Sequence, residues 1–174
     1  LPEGSWFVGV HVREPGFKDG DGIQDLFRNA DIETYLQAIQ VIVDRGGWVI
    51  RMGNPMMKAL PVMEHVVDYA HSGLRSDWMD VFLCAQSRFL INSSSGISLA
   101  ATAFGTPAVL TNFLPTCALP PSSRDFFIPK LCWSEPLQRN LTFSELMSAP
   151  VNICLSQHQY DRLGLKPQAN TAEE

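Results

Sequence analysis

Positive charge is scarce in this chain: 13 Lys and Arg stand against 18 Asp and Glu, a formal net charge of −5. That balance excludes a general DNA or RNA binder, because neutralising phosphates needs clustered Lys and Arg. Long hydrophobic runs are missing too. A helix crossing a bilayer needs about 18–20 apolar residues, and the longest stretch here is a short one around Val41 and Val43. No basic segment followed by an apolar run opens the sequence, so nothing reads as an export signal and a cytoplasmic location is expected. The four cysteines, Cys84, Cys117, Cys132 and Cys154, lie 33, 15 and 22 residues apart, with no Cys-x-x-Cys pair. Neither a zinc site nor a dithiol redox motif fits that spacing. An even count leaves disulfides open, but a reducing compartment is the expectation. What remains is ordinary: 174 residues, 45% hydrophobic and 18% charged, fit one globular domain with a sizeable core.

The order of elements follows from periodicity. Residues 6–13 (WFVGVHVR) are dense in β-branched and aromatic side chains and end at Glu14-Pro15-Gly16, a turn signal. A polar, Gly-rich loop runs to about Asn29. Asp31 then caps a helix whose apolar face is Ile32, Tyr35, Leu36, Ile39, Ile42 and Val43, closed by Gly46-Gly47. Residues 48–52 (WVIRM) form a second strand, completing a βαβ unit. The alternation continues with strands at 66–69, 88–92 and 106–111 and helices at 77–86 and 97–104. After Asn112 the chain is Pro-rich and reads as loop. Residues 126–133 are strand-like, but Pro129 demotes them to an edge or an irregular segment. A short helix starts at Thr142 or Ser144. The expected architecture is α/β, a Rossmann-like doubly wound parallel sheet. Thr171 followed by Glu174 has the pattern of a capping box with no helix after it, and Leu1-Pro2 leads almost directly into a strand. Both suggest a segment of a longer protein, one nucleotide-binding domain spanning 1–174.

Ligands of open parallel sheets bind at the carboxyl ends of the strands. The first strand ends at His11-Val12-Arg13, and His11 and Arg13, two apart, project from one side. The second ends at Arg51. The strand at 88–92 runs into Ser93-Ser94-Ser95-Gly96 and a helix. A serine run before a helix is a capping signal. With the positive end of the helix dipole and nearby guanidiniums, it also suits a diphosphate.

Other motifs are weaker. Asp19-Gly20-Asp21-Gly22, with Asp25 beyond, resembles part of a calcium loop, but Ala30 stands where the bidentate Glu belongs. No metal is expected. Asn92-Ser93-Ser94 and Asn140-Leu141-Thr142 match the N-glycosylation pattern. His65, His71 and His158 have no identifiable nucleophilic partner and receive no role.

These residues carry a family resemblance. VGVHVRE, RNADIETY, GGWVIRMGNP and SDWMDVFLCAQSRFLINSSSGISLAATAFGTPAVLTN, over roughly residues 6–114, are similar to the donor-binding half of GT-B glycosyltransferases. The likeness is to bacterial surface-polysaccharide enzymes distantly similar to fucosyltransferases. It implies His11 near the base or ribose of a GDP-sugar and Arg13 on its β-phosphate. The family's second Arg is replaced by Glu14. An Asp nine residues before the aromatic of the next strand reads guanine in fucosyltransferases, and Asp80 stands nine before Phe89. The family's Ser-Ser falls on Ser94-Ser95 or Ser95-Gly96. SSSGISLAATAFGTPAV also resembles the phosphate-binding helix of heptosyltransferases, which leaves the nucleotide open.

The resemblance thus implies a glycosyltransferase donor domain in surface-polysaccharide or glycan synthesis, metal-independent and without further cofactor. Its partners would be a nucleotide-sugar donor, a glycan acceptor and an N-terminal domain, without which it would be inactive. Donor-site candidates are His11, Arg13, Arg51, Asp80, Ser93, Ser94, Ser95 and Gly96, with Arg13 catalytic through stabilisation of the leaving diphosphate. Glu14 and Asp25 are candidates for the general base. The alternatives are a non-catalytic nucleotide or glycan-phosphate module kept for assembly, and a nucleotide-sugar epimerase sharing the half-fold.

Overall fold

A computed structural model describes residues 1–15, 23–118 and 122–174. Among them, six parallel strands form the main sheet: β1 (Phe7–His11), β2 (Trp48–Arg51), β3 (Val66–Asp68), β4 (Leu90–Asn92), β5 (Ala108–Phe113) and β6 (Phe126–Pro129). Their order is β3-β2-β1-β4-β5-β6. The chain winds outward from β1 in one direction, returns, and winds outward from β4 in the other. That is the Rossmann-like doubly wound arrangement, with its reversal between β1 and β4.

Strand alternation divides the core into two layers. Val8, Val10 and Val12 point to one face and pack on Ile32, Tyr35, Ile39 and Ile42. These side chains come from a 3-10 turn (Ile32–Tyr35) and α1 (Leu36–Asp44), the single helix expected from Asp31 onward. Asp31 caps it as expected, its carboxylate accepting the Glu33 N–H at 3.0 Å. Gly46, at φ +77°, ends it in the left-handed conformation that glycine tolerates. Phe7, Ile50, Met52 and Leu90 point to the other face, against Leu83 and Cys84 of α2 (Asp77–Gln86) and Ala101 of α3 (Ile97–Ala103). Burial of one such aliphatic side chain stabilises by about 1.5–3 kcal/mol.

The C-terminal region differs from the expected loop-and-edge reading. Pro129 ends β6 on the sheet's edge, where its missing N–H costs no ladder bond. Two residues later the chain enters a second, antiparallel sheet of β7 (Leu131–Ser134), β8 (Arg139–Asn140) and β9 (Leu165–Gln168), in the order β8-β7-β9. Lys130 lies between the sheets, buried, with its ammonium donating to the Asn29 carbonyl at 2.6 Å. Burial lowers its pKa to about 8. α4 (Phe143–Leu146) starts at Thr142 with the full capping box to Glu145, and α5 (Gln157–Arg162) packs Tyr160 against Phe27 at 5.2 Å. Cys132, Cys154 and Tyr160 belong to one satellite core. The four cysteines are free thiols, and burial raises Cys84 to about 11 and Cys132 to about 12.

The packing of the Leu90 and Ser87 side chains over β1 depends on Gly9. A Cβ there would lie 2.6 Å from Leu90 Cδ1 and 3.0 Å from Ser87 Oγ. Gly9→Ala is therefore expected to destabilise the fold by about 1–3 kcal/mol, the usual range for overpacking, read as a lowered urea midpoint at unchanged slope.

Candidate functional site

A cleft of about 400 Å³ opens at the reversal between β1 and β4. Its walls bring together His11 and Arg13 from the end of β1, Ser95 and Gly96 from the loop after β4, and Asp80 from α2. These five residues, assembled from three chain segments, were all candidates on sequence grounds. The cleft also contains Arg28, Arg75 and Gly53, which sequence reasoning missed. Arg28 lies at the end of a 3-10 turn (Ile23–Arg28) within the expected loop, and Arg75 directly precedes the Ser76 cap of α2. Neither sits at a strand end, the place where an open parallel sheet offers its ligand groups.

The remaining candidates lie elsewhere. Arg51 does not line the cleft: it is completely buried, 2.9 Å from Glu14 and 3.4 Å from Asp68, and it donates to the Lys58 carbonyl at 3.0 Å. The β1–β2 register explains this. Arg51 pairs with Val10, and Val49, two residues before it, packs in the α1 layer, so alternation sends Arg51 to the face opposite His11. Glu14, a candidate base, is likewise enclosed. Burial raises its pKa while Arg51 pulls it down, and it holds a structural cation rather than facing the cleft. The side chain of Asp25, the other candidate base, lies outside the described residues, as do Asp19 and Asp21.

Ser93 and Ser94 shape the loop from within. Ser93 Oγ accepts the Arg13 N–H at 2.8 Å, joining the ends of β1 and β4. Ser94 Oγ donates to the Asn112 carbonyl at 3.2 Å and accepts the Leu114 N–H at 2.9 Å, joining β4 to β5. Both are buried, and α3 is capped by Gly96 without any serine side chain. The Ser94 carbonyl receives two bonds from Arg28, at 3.0 and 2.8 Å. Thus the serines build the loop while Ser95 and Gly96 present it.

Among the described residues, the cleft lining holds Arg13, Arg28 and Arg75 with the carboxylate of Asp80, which lies 3.6 Å from Arg75. His11 adds no charge at neutral pH. Burial lowers its pKa to about 4, with Arg51 and Arg13 acting in the same direction and Asn92 in the other. Among the described residues, the buried His11 Nδ1, Asp80 Oδ1 and Asn92 Oδ1 have no partner in good hydrogen-bond geometry. A dianion over the guanidiniums, attached to groups that hydrogen-bond these buried atoms, is the ligand such a cleft can hold.

Asn92 is wholly buried, so its glycosylation pattern is inaccessible; Asn140 is exposed on β8. His71 bonds Asp68 at 2.9 Å and the Pro55 carbonyl at 3.1 Å, and His65 packs on Trp48 at 4.7 Å. Among the described residues no group of three or more His, Cys, Asp or Glu could hold a metal.

Two outcomes are expected here. Arg51→Ala leaves the Glu14 carboxylate buried without its cation and should cost about 3–5 kcal/mol, measured by urea unfolding. His11 is neutral in the fold but takes a proton when released, so between pH 6.5 and about 4 the unfolded state binds more protons. Stability should fall over that window as pH drops, by about 3 kcal/mol in total. His11→Gln should flatten that part of the stability–pH profile.

No family model matches the chain, and no curated protein matches it. Among solved structures, the iron-containing dodecameric glycosyltransferase TibC from enterotoxigenic E. coli H10407 matches with a TM-score of 0.40 and 15% identity. The match covers 63% of this chain and 28% of TibC, so the chain spans under a third of that protein's length.

Proposed function

We propose that this chain is the donor-binding half of a glycosyltransferase, and that the cleft at the β1–β4 reversal holds the diphosphate of a nucleotide-sugar. One observation carries the reading. Arg13, Arg28 and Arg75 converge with His11 and the 95–96 loop on the crevice where a doubly wound sheet offers its ligand site. Three guanidiniums gathered among the described cleft residues of a protein of net charge −5 favour an anionic ligand. The resemblance of the strand and loop motifs to GT-B donor halves names the class, with a GDP-sugar as the first candidate donor.

In this reading, transfer breaks the bond between the sugar's anomeric carbon and the β-phosphate oxygen while the acceptor hydroxyl attacks that carbon. Negative charge accumulates on the departing diphosphate. Arg13 and Arg28 meet it with charge-assisted hydrogen bonds that strengthen as the charge develops. Arg28 supplies the second guanidinium that the family pattern would place at Glu14. Asp80, the cleft carboxylate among the described residues, is engaged with Arg75 and suits a hydroxyl or base N–H donor better than proton abstraction. The base for the acceptor would come from a second domain, so the chain by itself should bind donor nucleotide without turnover.

Calorimetric titration with pyrophosphate, GDP, UDP, ADP and CMP tests the proposal. One nucleoside diphosphate is expected to bind in preference to the rest. Arg13→Ala and Arg28→Ala should each weaken it by about 1.5–3 kcal/mol, the worth of a charged hydrogen bond. Absence of binding by every probe, or indifference of the bound nucleotide to both substitutions, would overturn the donor-site reading.

A further inference from the structure

The anion cleft is tied to a residue far away in sequence and outside its walls. Asn112, at the end of β5, holds the left-handed conformation at φ +51° and is almost completely buried. It is fixed there by Asn170. The Asn112 N–H donates to Asn170 Oδ1 at 2.5 Å, and Asn112 Oδ1 accepts the Asn170 N–H at 2.8 Å. Asn170 Nδ2 donates to the Pro129 carbonyl at 3.1 Å, so the tail also fastens the end of β6. Asn112 Nδ2 donates to the Tyr35 hydroxyl at 2.9 Å.

The Asn112 carbonyl then receives the Ser94 hydroxyl, and the Ser94 carbonyl receives both Arg28 bonds. Each link is a hydrogen bond to a buried or half-buried backbone group, and a group buried without its partner is costly, so the links hold one arrangement. We infer that Asn170 is a positioning residue for the anion site: through Asn112 and Ser94 it sets the place of the Arg28 guanidinium. This rests on the donor-site reading for its ligand, but not for its geometry.

The test uses pyrophosphate as the ligand and the Arg28 Nε–H signal in a ¹H–¹⁵N NMR spectrum as a ligand-independent report. In Asn170→Ala, pyrophosphate affinity should fall roughly tenfold or more, as is typical when an outer partner of a binding group is lost. The Arg28 Nε–H signal should move, while the β7–β9 amide signals stay in place. Asn170→Asp keeps an oxygen for the Asn112 N–H and should recover much of the affinity, a rescue that general destabilisation would not give. A folded Asn170→Ala chain with unchanged affinity and an unmoved Arg28 signal overturns the inference. If the wild-type chain does not bind pyrophosphate, the donor-site reading fails, and the Arg28 signal alone decides the positioning claim. Should Asn170→Ala fail to fold, Tyr35→Phe, which removes one support of Asn112, takes its place with the same two readouts: a shifted Arg28 signal and weaker binding support the inference, and neither overturns it.

Discussion

A buried guanidinium organises the ligand end of the sheet. Arg51 joins Glu14, just after β1, to Asp68, the last residue of β3, and also holds the Lys58 carbonyl of the intervening loop. Three neighbouring strand ends are thereby fixed by one side chain. Asp68 extends the network by accepting the Leu60 N–H at 2.9 Å and facing His71 at 2.9 Å. A fully buried cation is tolerable only with several such partners, because its desolvation penalty otherwise exceeds what a single contact returns. With Glu14 held inward on the α1 side, Arg13, one residue earlier, is delivered to the other side by strand alternation. Structural and ligand-facing charges are thus separated by one residue.

The same alternation explains how the end of β1 is presented to the cleft. Odd positions of β1 face α2 and α3, and Gly9 among them leaves room for Leu90 to come close. At the β1–β4 reversal the 93–96 loop is bonded to the ends of β1 and β5 at once. Guanidiniums arriving from a 3-10 turn and from the segment before α2 complete the lining. The burial that makes His11 neutral reserves positive charge for the arginines.

Much of this was legible from local pattern. The α2 boundaries, the Asp31 cap, the Gly46 stop and the strand ends at His11 and Asn92 each depend on a few adjacent side chains, and the structure places them within a residue or two of expectation. The misreadings share another cause. Arg51 looked like a ligand group because it stands at a strand end, and only its pairing with Val10 shows which face it takes. Arg28 and Arg75 lie in segments without periodicity, so nothing local points them at the cleft. The antiparallel sheet escaped notice because β7 and β9 are separated by thirty residues of short elements, and strands of four residues carry little alternation to read.

Residue order alone established the alternation of strands and helices, the elements' approximate limits and the pair His11 and Arg13 as companions on one face, because hydrophobic period and capping chemistry act over a few residues. Tertiary structure decided which cations are buried and which are presented, that the serines build the loop instead of capping α3, and that Asn170 reaches back to Asn112. Those outcomes depend on desolvation and on hydrogen bonds between groups from 17 to 80 residues apart, and such terms have no value until the chain has brought the partners together.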